Sequence, residues 1–201
     1  MCSLRKTEQF EIPYIDFEIA ASKPSKTWKF IYEWLDSLIF AFITILIVFT
    51  FCFRIVGVSG ESMVPTLQNG DWLAVRAINT SIDRGDIVVI TQPNSLHEPL
   101  IKRVIAVGGD TVDIDFVEGT VTVNGEVLSE PYINEATHRM SDVAFPITVP
   151  EGKVFVMGDN RNESLDSRST TVGFIDTRYI LGVAEFRFYP FGDWKLDNYA
   201  K

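Results

Sequence analysis

The sequence predicts a mainly β domain of barrel-like antiparallel sheets behind one N-terminal transmembrane helix. Three observations carry this expectation. A single uncharged apolar run, Leu38 to Phe53, stands near the N-terminus. Beyond it the hydrophobic pattern switches from helical to a period of two, and no later segment sustains a helical period. Clusters of Gly, Asp, Asn and Pro close the alternating runs at short intervals.

The apolar run reads LIFAFITILIVFTFCF, with Thr44 and Thr50 as its polar breaks. Trp34-Leu35 before it and Ile55-Val56-Gly57-Val58 after it extend the stretch to the roughly 20 residues a helix needs to cross the hydrocarbon layer. Trp28, Tyr32 and Trp34 occupy the N-terminal flank, where amphipathic rings favour the headgroup region. A buried core helix of this length would keep a polar face, and a cleaved signal peptide would start earlier and be shorter. Residues 34–58 therefore read as a retained anchor. Lys23, Lys26 and Lys29 precede it and only Arg54 follows closely, so the positive-inside rule keeps 1–33 cytoplasmic as a tail. Residues 59–201 are then exported, giving a single-pass protein of the cell membrane.

Charge sharpens this division. The 201 residues hold 18 basic and 27 acidic side chains, a net charge of −9. The first 58 are balanced at six of each, so the whole excess falls on residues 59–201. Such a domain lacks the basic face that nucleic-acid backbones require, and no nucleic-acid partner is expected. A hydrophobic content of 46% excludes a disordered chain. Cys2 falls on the cytoplasmic side and Cys52 within the span, which leaves the exported domain without a disulfide.

Within that domain, residues 71–76, 86–90, 100–107, 153–157 and 179–188 read as strands. Residues 111–128 form a hairpin series (TVDIDF, EG, TVTV, NG, EVL), with Asn124-Gly125 as the strongest turn signal. Residues 129–150, interrupted by Pro131, Pro146 and Pro150, read as an irregular excursion. Short strands in this number suggest barrel-like or orthogonally packed sheets.

The chemistry starts from an absence. His97 and His138 are the only histidines, and neither has Asp or Cys companions at ligand spacing, so no metal, no cofactor and no Ser-His-Asp triad is expected. The segment Ser59-Gly-Glu-Ser-Met-Val-Pro-Thr-Leu67 follows the anchor directly. Gly60 permits a sharp turn before Ser62, Pro65 stiffens it, and Met63 and Leu67 supply apolar surface. A serine needs a base to become a nucleophile. Without histidine, that base is a lysine whose basicity is lowered by burial. Lys102 fits, because strand alternation places it with Leu100, Val104 and Ala106, opposite Ile101, Arg103 and Ile105. On the strand pattern alone, a snorkelling lysine is the more ordinary reading.

A third segment, Gly158-Asp-Asn-Arg-Asn-Glu-Ser-Leu-Asp-Ser-Arg168, is too polar for a core strand. Taken in order behind an N-terminal anchor, SGESMVPTL, RGDIVV from Arg84, KRVIAVGGD from Lys102 and GDNRNESLDSR resemble the bacterial type I signal peptidases, over residues 34 to 191. That resemblance implies a signal-peptidase/LexA-like β fold and a serine endopeptidase that cleaves after small-x-small sites. It implies Ser62 as nucleophile and as backbone oxyanion donor, Lys102 as general base, and Ser164 as the serine that orients the lysine amine. Asp166 with Arg168 matches a supporting acidic–basic pair, and Asp159 with Asn160 a tight turn. Met63, Leu67, Leu100 and Ile101 are candidates to line the substrate pockets.

The chain departs from some family members at Gly60, where they carry a serine that donates to the oxyanion. Gly60 resembles the single-anchor, Gram-positive-like branch. The implied partners are signal peptides of secreted preproteins at the translocon, and membrane lipid. Ser62 lies four residues past Val58, so the nucleophile is expected near the membrane surface, with lipid contact among Phe186, Phe188, Tyr189, Phe191 and Trp194. For Phe186 and Phe188 a core strand is the plainer assignment. Two other readings remain open on sequence. One is a self-cleaving LexA-like regulator, and the other a non-catalytic membrane-tethered binding protein. Asn-x-Ser sequons at Asn79 and Asn162 matter only in a glycosylating compartment.

Overall fold

The computed structural model describes residues 26–77, 81–91 and 98–191, together with Leu196. The expected tail up to residue 25, and with it Cys2 and Lys23, lies outside the described residues, as do Asn79, His97 and Trp194. The chain divides into two compact units, residues 1–43 and 44–201.

Helix α1 spans Lys26–Cys52 and contains the 21-residue stretch Thr27–Ile47, of mean hydropathy 1.9. That stretch is long and apolar enough to cross a membrane. Two hydroxyls of the helix bond back one turn: Ser37 Oγ donates to Glu33 O at 2.9 Å and Thr50 Oγ1 to Leu46 O at 2.7 Å. The helix begins before Trp34 and ends at Cys52, which corrects the sequence-based limits of 34–58. Phe53–Gly57 instead form strand β1, paired antiparallel with β2 (Trp72–Arg76) from Phe53↔Arg76 to Gly57↔Trp72. Apolar continuity cannot separate a helix from a strand, whereas a partner strand can.

The remaining strands are β3 (Ile87–Ile90), β4 (Leu100–Val107), β5 (Thr111–Asp115), β6 (Thr120–Val123), β7 (Glu126–Val127), β8 (Ile147–Thr148), β9 (Lys153–Met157), β10 (Ile175–Asp176) and β11 (Ile180–Tyr189). They build a seven-stranded sheet in the order β1-β2-β11-β3-β4-β9-β10 and a four-stranded sheet in the order β7-β6-β5-β8. All pairings are antiparallel. The mainly β expectation therefore holds. At the β6–β7 turn, Asn124 and Gly125 both have positive φ, 53° and 84°, the geometry that suits the twist of a two-residue hairpin.

Three apolar clusters hold the larger sheet. Strand β3 is buried on both faces, with Ile87 and Val89 in one cluster and Val88 and Ile90 in another. The first cluster takes in Met63 and Leu67, so the segment carrying Ser62 is nailed to the sheet by its own apolar residues. The third cluster joins the sheets, uniting Ala106, Phe155 and Met157 with Val112, Ile114, Val121 and Val123. A β-bulge between Val104 and Ala106 breaks the alternation of β4. Ala106 therefore packs with Ile105 in this cluster, not with Leu100 and Val104 as simple alternation predicts.

Phe155 is fully buried and meets Phe145 edge-on at 5.9 Å and Phe174 at 6.3 Å. Phe155→Ala is expected to cost about 3–5 kcal/mol. Denaturant unfolding of the full chain in detergent checks this, and a loss under 1 kcal/mol would mean that the two sheets are joined by something else.

Candidate active site

Ser62 sits in a loop closed at its base by two backbone bonds, Val58 N–H to Asp71 O at 2.8 Å and Gly70 N–H to Val58 O at 3.0 Å. Met63 and Leu67 anchor the loop from below. From above, Asn160 reaches across from the turn after β9: its backbone N–H donates to Ser62 O and its Nδ2 to Glu61 O, both at 3.1 Å. The peptide between Glu61 and Ser62 is trans, so its N–H points opposite to its held carbonyl. Asn160 thus orients the Ser62 N–H, which bonds no group among the described residues.

Gly158 makes this approach possible. A Cβ there would lie far inside contact distance of Ser164 Oγ and the Ser62 carbonyl oxygen, and 2.5 Å from Ser164 Cβ. Two loops press on one residue, and only glycine leaves them room.

Lys102 enters from β4, between Ile101 and Arg103. It is 3% exposed, and its Nζ is hydrogen-bonded to Ser62 Oγ at 2.5 Å. Burial pulls the amine from the ordinary 10.5 down to about 8. Asp166 and Asp159 oppose that shift, while Arg168 adds to it. Both carboxylates are already committed. Asp159 takes Arg103 Nε and Nη2 at 2.8 and 2.7 Å and the Thr66 hydroxyl at 2.5 Å. Asp166 takes Arg168 Nε at 2.8 Å and Nη2 at 2.9 Å, and also accepts the Gly158 N–H at 3.1 Å.

The expected supporting residues therefore gather here, with two refinements. Ser164 is buried against Gly158, but its Oγ has no hydrogen-bond partner among the described residues. Asp159 does more than shape a turn, since it closes a fully buried ion pair with Arg103. Strand alternation places Arg103 only on the opposite face from Lys102. Its guanidinium also donates to Gly85 O at 2.8 Å and stacks 4.0 Å over the Tyr132 ring. Arg161, likewise buried, bonds Glu130, Thr137 and Gly158 O. Neither buried arginine is announced by the local pattern, except that a charged residue beside Lys102 in an otherwise apolar strand is unusual.

A cavity of about 370 Å³ opens on Ser62 and Lys102. Met63, Leu100 and Ile101 line it, joined by Val56, Val58 and Gly60. Leu67 does not line it: the residue is fully buried in the core beneath the loop, which corrects that expectation. Asn162, the second sequon, uses its side chain to hold His138, Arg139 and Ala136 backbones. Among the described residues, no three His, Cys, Asp or Glu side chains gather as a metal ion would need.

The profile of the family "Signal peptidase, peptidase S26" matches residues 31–189. A signal peptidase I of Bacillus licheniformis is 38% identical, over 81% of this chain and 91% of its own. Signal peptidase I S of Bacillus subtilis is 35% identical over 85% and 95%, and signal peptidase IB of Staphylococcus aureus 35% over 83% and 94%. A crystal structure of a signal peptidase I from Enterococcus faecalis V583 matches 52% of this chain and 97% of its own at 30% identity, with a TM-score of 0.41.

Two outcomes are expected from this geometry. Gly158→Ala should separate the two loops and reduce turnover at least tenfold while β-sheet content, read by circular dichroism, is kept. Lys102→Met should make the protein more stable at pH 7. Between about 8 and 10.5 the unfolded chain holds a proton that the folded chain has released, so stability rises with pH across that window. Below it the full cost of burying the ammonium applies, at most about 3 kcal/mol. Thermal unfolding at pH 7, 9 and 10.5 checks that the advantage of the variant is largest at pH 7 and fades by 10.5.

Proposed function

The chain belongs to the signal peptidase family, peptidase S26, and on that premise we propose that Ser62 and Lys102 are the dyad with which it removes signal peptides from exported preproteins. One observation carries the assignment: a buried amine of lowered basicity is hydrogen-bonded to a serine at the floor of a groove.

The neutral Lys102 amine takes the Ser62 hydroxyl proton as the oxygen attacks the carbonyl of the −1 residue. The Ser62 N–H, aimed by Asn160, receives the developing oxyanion. Lys102 then passes its proton to the leaving amine, and the same amine activates the water that hydrolyses the acyl-enzyme. Once Ser62 is acylated, Lys102 loses its bonding partner. Ser164 Oγ, buried and unpaired among the described residues, is the group we assign to hold it. Asp166 with Arg168 and Asp159 with Arg103 brace the turn that carries Asn160 and Ser164.

The substrate binds as an added strand. β1 is an edge of the seven-stranded sheet, and Val56 and Gly57 line the cavity together with Leu100 and Ile101 of β4. Alternate side chains of an extended peptide face one way, so residues −1 and −3 enter the same apolar pocket and must be small. In this reading α1 is the anchor, residues before it are cytoplasmic and the β domain is extracytoplasmic. Its boundary moves to Cys52. Exposed Ile55 on β1, Trp72 on β2, Tyr189 at the end of β11 and Phe191 just past it are the lipid contacts we assign, and preproteins leaving the translocon are the substrates.

The full chain in detergent should cut a preprotein bearing a small-x-small site, and Ser62→Ala and Lys102→Ala should each abolish cleavage with the fold retained. For the parent chain, kcat/KM should rise with pH through about 8, because the reactive amine is the deprotonated one. Substantial cleavage by Lys102→Ala, or a flat profile from pH 6 to 9, would defeat the dyad.

A further inference from the structure

Gly60 brings no side chain to the site, and a Cβ placed there would meet nothing within 4 Å. Space therefore does not demand glycine. The backbone does: Gly60 has φ +90°, in the region that L side chains rarely adopt. Glycine is also the residue with the most torsional freedom to lose, so something must hold this angle two residues before the nucleophile.

The contact that does so is Gly60 N–H to Asn69 Oδ1, at 3.0 Å. Asn69 belongs to the returning limb of the same loop, beside Gly70 and Asp71, whose backbones are bonded to Val58. The acceptor is thus carried on a closed stem. Asn69 sets the peptide preceding Gly60, and Asn160 sets the peptide preceding Ser62 through Glu61 O. Only the Gly60–Glu61 peptide lies between these two restraints. Releasing Asn69 frees the most pliable residue of the segment and lets the Ser62 N–H wander from the place where negative charge develops.

We propose that Asn69 is a positioning residue for the oxyanion hole, restraining Gly60 so that the Ser62 N–H is pre-aimed. The role rests on the assignment of Ser62 as nucleophile and donor. It also accounts for how a loop with glycine at position 60 works without a side-chain donor there: the backbone donor it retains is held from both sides.

The test uses the full chain in detergent and a fluorogenic peptide with a small-x-small site. Asn69→Ala should lower kcat about tenfold, less than the 10²–10³ that loss of a direct donor costs. KM should stay within about twofold, and both the melting temperature and the pH limb near 8 should stay in place. Asn69→Asp keeps an acceptor for the Gly60 N–H and should recover most of the lost turnover. Parental kcat in Asn69→Ala overturns the proposal, and so does Asn69→Asp as slow as Asn69→Ala. A loss that appears in KM, or that comes with a shifted pH limb, also overturns it. Ser62→Ala separates the two assignments. Cleavage by that variant defeats the nucleophile itself, whereas an inactive Ser62→Ala beside a fully active Asn69→Ala defeats only the role of Asn69.

Discussion

The site depends on keeping one lysine amine out of water. An ammonium loses much of its solvation on burial, and that loss makes the Lys102 proton labile near neutral pH. A free carboxylate nearby would undo the effect by stabilising the cation. Asp159 and Asp166 are both close enough to act on the amine, yet each is engaged by an arginine in a buried pair. Their charges are largely spent on Arg103 and Arg168. Buried ion pairs contribute little net stability unless fully hydrogen-bonded, and here they are: Arg103 adds Gly85 O and the Tyr132 ring, and Arg168 adds the Arg161 and Arg139 carbonyls.

The same constraint explains the crowding at Gly158. Drying the amine requires the Ser62 loop and the segment 158–168 to close over it, and both converge on this residue. Asn160 then turns the closure to a second use, since the bonds that hold the loops together also fix the peptide before Ser62. Desolvation of the Lys102 amine and orientation of the Ser62 N–H thus come from one packing event.

Chain order serves the substrate side in a comparable way. β1 lies between α1 and the Ser62 loop in sequence, forms an edge of the sheet, and lines the cavity. A strand at the sheet edge beside the Ser62 loop suits pairing with an extended peptide. It is also the element least visible in the sequence. Its residues, Phe-Arg-Ile-Val-Gly, continue the apolar composition of the helix, and their strand character comes from pairing with residues 72–76. The bulge that moves Ala106 to the other cluster was hidden for a similar reason, since alternation is a local rule and a bulge is set by the partner strand.

Elements with a local signal are legible in the chain before it folds. These are the apolar helix, the strands β4, β5, β6 and β9, the Asn124-Gly125 turn, and the three motif segments that carry Ser62, Lys102 and Ser164. Family resemblance in those segments nominated the candidate site residues. Which of them touch is set by the folded arrangement. It bonded Lys102 to Ser62, committed Asp159 to Arg103, left Ser164 Oγ without a partner among the described residues, and took Leu67 from the pocket into the core. Those outcomes depend on burial and on contacts between segments some 40 to 100 residues apart, and no periodicity within a segment encodes them.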